Sequence, residues 1–134
     1  MRTFYIFKIN KEFKTLTKNK PYNLYLALND IYKMDKKNIS IASHIYYKIC
    51  DTNDIKRLSL KLFNYLKDSD YYTKFNNNHL INNFYTNESS KLTVKRSHLK
   101  LKSTINRPYF FKILKLVPNL FVVDFVYKDY FWLS

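Results

Sequence analysis

The residue types that support acid–base or metal chemistry are scattered along this chain. Its histidines, His44, His79 and His98, are widely separated, and none has a Cys, another His or a carboxylate at the spacing of a metal-binding motif. The sequence contains no Gly. This excludes Gly-rich phosphate-binding loops and the nucleophile elbow of many hydrolases, because those turns need residues without a Cβ. We therefore predict a protein that is not an enzyme and that uses no metal or cofactor.

Two residues with reactive side chains, Cys50 and Asp124, lie within apolar segments. Cys50 ends the apolar run at 45–50 and is interpreted as a buried structural thiol rather than a nucleophile. It has no second Cys with which to form an intrachain disulfide. This favours a reducing compartment, so we predict a cytoplasmic protein. Asp124 has two interpretations: an acid with a shifted pKa or, as we favour, a satisfied side chain on the wetter face of an edge strand.

The chain is strongly basic, with 24 Lys and Arg residues against 10 Asp and Glu and a formal net charge of +14. One explanation is an acidic partner such as nucleic acid, an anionic membrane or an acidic protein surface. The other is the codon bias of an AT-rich genome, which the even spread of charge along the chain favours. One strand and the turn after it carry a basic run that would either contact phosphates or, as we favour, form a solvated face. This run comprises Lys91, Lys95, Arg96, His98, Lys100 and Lys102, and we expect His98 to be exposed.

Apolar patterning predicts an α+β fold in one domain spanning residues 1–134. Aromatic and β-branched runs, together with one stretch of alternation, predict extended segments at 3–9, 39–50, 91–95, 120–126 and 130–133. Helices are predicted from Pro21, from an N-cap at Asp51, and between Pro108 and Pro118. The expected architecture is a roughly five-stranded sheet packed with about three helices. No stretch approaches the ~20 apolar residues of a membrane span.

Two segments are predicted to lack regular helices. Residues 10–20 form a polar loop in which Phe13 is the one large ring, and this ring either folds back onto the core or anchors a partner. Residues 71–90 are expected to form a long loop or hairpin. Without Gly, turns that need a positive φ must use Asn or Asp, and the Asn clusters at 76–78 and 82–83 suit that role.

Both ends of the chain resemble the SirA family, the sporulation inhibitors of replication. At the C-terminal end, YFFKILKLVP at 109–118, FVVDF at 121–125 and YFWL at 130–133 resemble the family's FFxVLKxV helix, its FLAFDF strand and its closing Trp-Leu strand. At the N-terminal end, FYIF at 4–7 and KEF at 11–13 are similar to the family's YYxYLIKEEF. Two positions depart from the family pattern: Phe131 replaces a Gly, and Thr17 replaces an aromatic residue.

The resemblance implies a non-enzymatic inhibitor that binds the N-terminal domain of the replication initiator DnaA. It places Phe13 as an anchor, Thr17 beside it, and Ile41 near a further contact position. The alternative suggested by the charge is a small basic nucleic-acid-binding module. The two differ in salt response, because phosphate binding weakens steeply with salt through counterion release. For the inhibitor, we expect little sequence-specific affinity for DNA at physiological salt.

Overall fold

Seven antiparallel strands form one sheet, in the spatial order β2-β3-β4-β5-β1-β6-β7. The computed structural model describes residues 1–133. The strands are β1 (Arg2–Lys8), β2 (Tyr72–Phe75), β3 (Asn78–Asn83), β4 (Glu88–Val94), β5 (Leu99–Ser103), β6 (Leu120–Asp124) and β7 (Asp129–Trp132). The α+β class is confirmed, but the expected count of five strands was too low. Residues 71–90 form the antiparallel pair β2 and β3 and begin β4, which agrees with the hairpin and not with the loop, and β5 is a further strand after β4.

Helices pack on both faces of this sheet. They are α1 (Lys11–Thr17), α2 (Pro21–Tyr32), α3 (Ile39–Ile49), α4 (Ile55–Leu66) and α5 (Phe110–Leu114), with a short 3₁₀ helix at Lys36–Asn38. Two of the five α-helices, α1 and α3, lie where a loop and an extended segment were predicted. None of the helices in residues 1–133 has the length and apolar character needed to cross a bilayer.

The first strand is buried on both faces, as its unbroken apolar run predicted. It lies at the centre of the sheet, between β5 and β6. Phe4 and Ile6 join a first core that includes residues of α4 and α5. Phe7 joins a second core on the other face, together with Leu24 of α2 and Ile49 of α3. The sheet therefore separates two hydrophobic cores, and α1–α3 form one helical layer over the second.

The prediction that residues 39–50 are extended was wrong, because they form α3. The side chains that point towards the second core recur at helical spacing: Ala42, Ile45 and Ile49 are buried or half-buried, whereas Ile39 and Ile41 are exposed. β-branched residues have only a weak preference against helix, and packing of the apolar stripe overrides it. Ile41 therefore lies on a helix surface.

Local capping also differs from the sequence-based expectation. The Asn10 side chain accepts a 2.8 Å hydrogen bond from the Phe13 backbone N–H and so begins α1 inside the predicted loop. Helix α4 is capped by Asp54, which accepts from the Arg57 backbone N–H at 3.1 Å, and not by Asp51.

Turns without Gly use Asn at three of the four positive-φ positions among the described residues. These are Asn76, Asn87 and Asn119, and the fourth is Lys128, the last turn residue before β7, at φ 55°. Asn76 falls in one of the predicted clusters. Asn82 and Asn83, from the other cluster, lie in β3 and pair with residues of β4 instead of forming a turn. Asn tolerates the left-handed region better than most residues with a Cβ, so it takes the place that Gly usually has.

The helical layer leaves half of one sheet face open. The second core draws its strand residues from β1, β6 and β7. On β4 and β5, alternate residues are buried against the first core, and those between them are exposed or half-exposed. This surface of β2–β5 is called the open face below.

Candidate partner-binding site

Phe13 lies near the start of α1 and is half-buried against the second core. Thr17, one turn later, is itself buried, and its hydroxyl donates a 2.6 Å hydrogen bond to the Phe13 carbonyl. Thr17 therefore stabilises the last turn of α1 through this hydrogen bond and does not face solvent. The residue that α1 presents outward is Leu16, which is 71% exposed. Sequence reasoning missed Leu16, although its spacing of three from Phe13 places the two on neighbouring positions of a helix.

Side-chain contacts fix α1 against the rest of the fold at its start and in its middle. The Asn10 amide donates to the Lys48 carbonyl at the end of α3. The Lys14 ammonium donates to the Asn119 side chain at 2.9 Å and lies 5.5 Å from the centre of the Trp132 ring. A surface that is rigid before binding loses less conformational entropy when a partner docks, so α1 is suited to an interface.

Ile41 is 56% exposed near the start of α3. Phe13 lies near the opposite end of that helix, because Asn10 bonds to Lys48 there. With a rise of 1.5 Å per residue, Ile41 is about 12 Å along the α3 axis from Ile49. The structure therefore does not bring the three predicted contact residues into one cluster, and a partner that touches Phe13 and Ile41 must span the helical layer.

Large apolar side chains are exposed along the outer surface of this layer. Besides Leu16 and Ile41, they are Leu26, Ile39 and Tyr47. Tyr22 and Tyr32 are also exposed, but their rings contact Tyr130 and Phe125. Single exposed apolar residues are normal on a protein surface, but a group of them within three adjacent helices is typical of an interaction site. The outer surface of α1–α3 is therefore the candidate partner-binding site.

His79 and Cys50, two of the residues considered for chemistry, are buried in structural roles, whereas His44 is exposed on α3. His79 is fully buried, with its Nδ1 atom 2.7 Å from the Tyr72 hydroxyl and its Nε2 atom 3.3 Å from the Ser59 hydroxyl. Burial, assisted by the nearby Lys74 charge, lowers the pKa of His79 to about 4. Cys50 is buried, as predicted, and burial raises the pKa of its thiol to about 12. A substrate could reach neither group.

His98 is half-buried, so the prediction that it is exposed was wrong. Its ring packs between Tyr5 and Phe7, and its Nδ1 atom lies 2.8 Å from the Ser97 hydroxyl. Burial, with smaller contributions from the charges of Lys95 and Lys100, lowers the pKa of His98 to about 4. Within residues 1–133, no group of three His, Cys, Asp or Glu side chains is placed to hold a metal ion.

Asp124 is a satisfied buried carboxylate, as favoured from the sequence, but it does not lie on an edge strand. Strand β6 lies between β1 and β7. The carboxylate accepts hydrogen bonds from Arg2 Nε at 2.9 Å and from the backbone N–H groups of Val126 and Tyr127 at 3.0 and 3.1 Å. It thereby joins the first strand to the turn after β6.

The family model described as "Sporulation inhibitor of replication protein SirA" matches residues 2–134, essentially the whole chain. No curated protein matches the chain.

Proposed function

Because the chain belongs to the SirA family of sporulation inhibitors of replication, we propose that it binds the N-terminal domain of the initiator DnaA and thereby blocks replication initiation. It acts in the cytoplasm by occupancy, covering a surface that DnaA needs for its own assembly or for its regulators. No chemical step is involved. This agrees with a family of regulators and with the burial of His79 and Cys50.

The observation that carries this proposal is the construction of α1. Phe13 is fixed by the Asn10 cap and by packing on the second core, while Leu16 projects into solvent beside it. A few well-packed side chains supply most of the binding energy of typical interfaces. The helix offers DnaA a preorganised apolar contact, with Thr17 supporting it and Ile41 extending the contact across the helical layer.

Replacing Phe13 by Ala is expected to weaken binding to the isolated N-terminal domain of the cognate DnaA by about 2 kcal/mol or more, which is roughly 30-fold in affinity. Calorimetric titration measures this loss, and thermal unfolding of the same variant measures the effect on the fold. Because Phe13 is only half-buried, its truncation should cost less stability than the ~3 kcal/mol or more of a fully buried ring. An unchanged affinity, or a variant that is unfolded at the assay temperature, contradicts the anchor role.

A second variant tests the same surface without touching the core. Leu16→Glu places a charge on the outer side of α1, where the side chain is exposed, and it should abolish binding while leaving the melting temperature unchanged. Ile41→Asp should weaken binding through the far end of the layer. The matched control is Leu60→Glu on α4, on the other side of the sheet and also exposed, which should bind as the unmodified protein does. If Leu16→Glu binds normally, α1 is not the docking surface.

A further inference from the structure

The open face gathers four of the six residues of the basic run onto one surface. Lys91 and Lys95 belong to β4 and the turn after it, and Lys100 and Lys102 belong to β5. With Asn78 and Thr93, these lysines line a shallow depression of about 230 Å³. The sheet register produces this grouping. Residues two apart along one strand point to the same face, and paired residues of adjacent strands, such as Thr93 and Lys100, share that face.

Lysines lie directly opposite each other across this face. Lys91 pairs with Lys102 in the β4–β5 register, where facing Cα atoms of antiparallel strands are about 5 Å apart. Like charges in facing positions destabilise a sheet. The ion pairs formed by residues 1–133 join Arg2 to Asp124 and Asp129, so none of the four lysines is neutralised by a carboxylate. Such an arrangement is stabilised when an anion binds between the ammonium groups.

The row of residues that crosses this face ends in an exposed ring. Phe75, Asn78, Thr93 and Lys100 are successive partners across β2, β3, β4 and β5. The Thr93 hydroxyl donates to the Asn78 side chain at 2.7 Å, and Phe75 at the sheet edge is 70% exposed. The open face therefore combines cations, polar side chains and an accessible aromatic surface within one row.

We propose that the open face of β2–β5 binds single-stranded nucleic acid without sequence preference. Lys91, Lys95, Lys100 and Lys102 contact the phosphates, and Phe75 stacks on a base. Phosphates are contacted mainly by Lys, Arg, and the hydroxyl and amide groups of Ser, Thr and Asn. Binding of single strands typically combines a cationic groove with aromatic stacking. The centre of a protein–protein interface, by contrast, is depleted in Lys, so the composition favours a nucleic acid over an acidic protein.

This site is distinct from the outer surface of α1–α3 and does not depend on DnaA binding. Because the contacts are to phosphates, affinity is expected to be micromolar at physiological salt and to rise steeply as salt is lowered. This accords with the small sequence-specific affinity for DNA expected of an inhibitor.

The test compares two double variants that lose the same charge from opposite faces. Lys91→Gln/Lys102→Gln removes the facing pair on the open face. The control, Lys56→Gln/Lys61→Gln, removes two exposed lysines of α4 on the other side of the sheet. Fluorescence anisotropy with a labelled oligo(dT) of about 20 nucleotides, measured from about 50 to 200 mM salt, gives the affinity and the salt slope of each.

The open-face variant should bind at least about 10-fold more weakly at low salt, and its log–log salt slope should fall by about 1.4, or 0.7 for each lost phosphate contact in a single strand. The α4 variant should change little. Equal losses of affinity in the two variants would show that net charge alone attracts the oligonucleotide and would contradict a binding site on the open face. Removing the facing charges should not lower the melting temperature, so weaker binding cannot be ascribed to unfolding.

Two further arms identify the ligand. Phe75→Ala should weaken oligo(dT) binding several-fold and leave binding to a duplex of the same length unchanged, because duplex bases are not free to stack on the ring. If the variant binds oligo(dT) as the unmodified protein does, the single-strand assignment fails. If polyglutamate displaces oligo(dT) at equal charge concentration, the open face is a site for an acidic polypeptide and the proposal is wrong.

Discussion

Replacing Asp124 by Ala is expected to lower the free energy of unfolding by about 3 to 5 kcal/mol, the range seen when one partner of a buried ion pair is removed. Asp124 is 1% exposed and accepts from Arg2 and from two backbone N–H groups. The truncation leaves all three donors without their acceptor. Arg2, in the first strand, also loses a contact to the carboxyl end of β6. Urea unfolding at neutral pH measures the loss.

The matched control is Asp129→Ala, which removes the other carboxylate bound to the same guanidinium. Asp129 lies 3.0 Å from Arg2, but its side chain is 50% exposed. Exposed ion pairs contribute about 0 to 1 kcal/mol, so this variant should unfold almost as the unmodified protein does. Similar losses of unfolding free energy in the two variants would show that burial does not determine how much each of these ion pairs contributes to stability.

Lowering the pH from about 7.5 to about 5 should reduce stability by roughly 2 kcal/mol through His79 alone, approaching roughly 3 kcal/mol near pH 4. The folded pKa of about 4 lies below the ordinary value of 6.5. Between these values the unfolded chain binds more protons than the folded one, so stability falls as pH falls through this window and is fully present above it. His98, whose folded pKa is also about 4, changes stability in the same direction.

His79→Gln isolates this contribution, because an amide can still bond to Tyr72 and Ser59 but does not titrate. The difference in unfolding free energy between pH 7.5 and 5 should be clearly smaller in this variant, even if its stability is lower at both pH values. His44→Gln, on the exposed surface of α3, serves as the control and should keep the full difference. If His79→Gln keeps the full difference as well, burial of His79 is not a source of acid sensitivity.

The elements predicted well from the sequence are those whose patterns have one interpretation. Residues 3–9 and 120–126 are nearly continuous in aromatic and β-branched residues. They supply the central strands β1 and β6, which are buried on two faces, although β6 ends at Asp124 and residues 125 and 126 belong to the turn. Helix α4 was predicted because its leucines recur at helical spacing with lysines between them. In these segments, local preference and burial agree.

The elements predicted wrongly are those in which local preference and packing disagree. Residues 39–49 contain β-branched and aromatic side chains, yet every third or fourth one packs inward and the segment is helical. In β3, a run of Asn suggested turns, whereas cross-strand pairing with β4 orders it as a strand. Long-range pairing of this kind is not visible in a single segment.

The candidate site was predicted in part. The position of Phe13 near a partner-binding surface came from family resemblance, and its role stays a prediction. That Thr17 is buried and Leu16 exposed follows only once residues 11–17 are seen to be a helix. The basic run was noted, but the facing of Lys91 and Lys102 depends on the register of β4 and β5, which the sequence did not reveal.

The central position of β1 has a consequence for how the chain is made. Its partners are β5 and β6, so Tyr5 faces Lys100 and Val123, both roughly a hundred residues later in translation. At about 5 to 20 residues per second, the ribosome takes on the order of ten seconds to produce them. During that time the nascent strand has neither neighbour, and its aromatic side chains are open to chaperones or to other chains. Folding is therefore expected to be essentially post-translational, with closure of the sheet as a late and slow step.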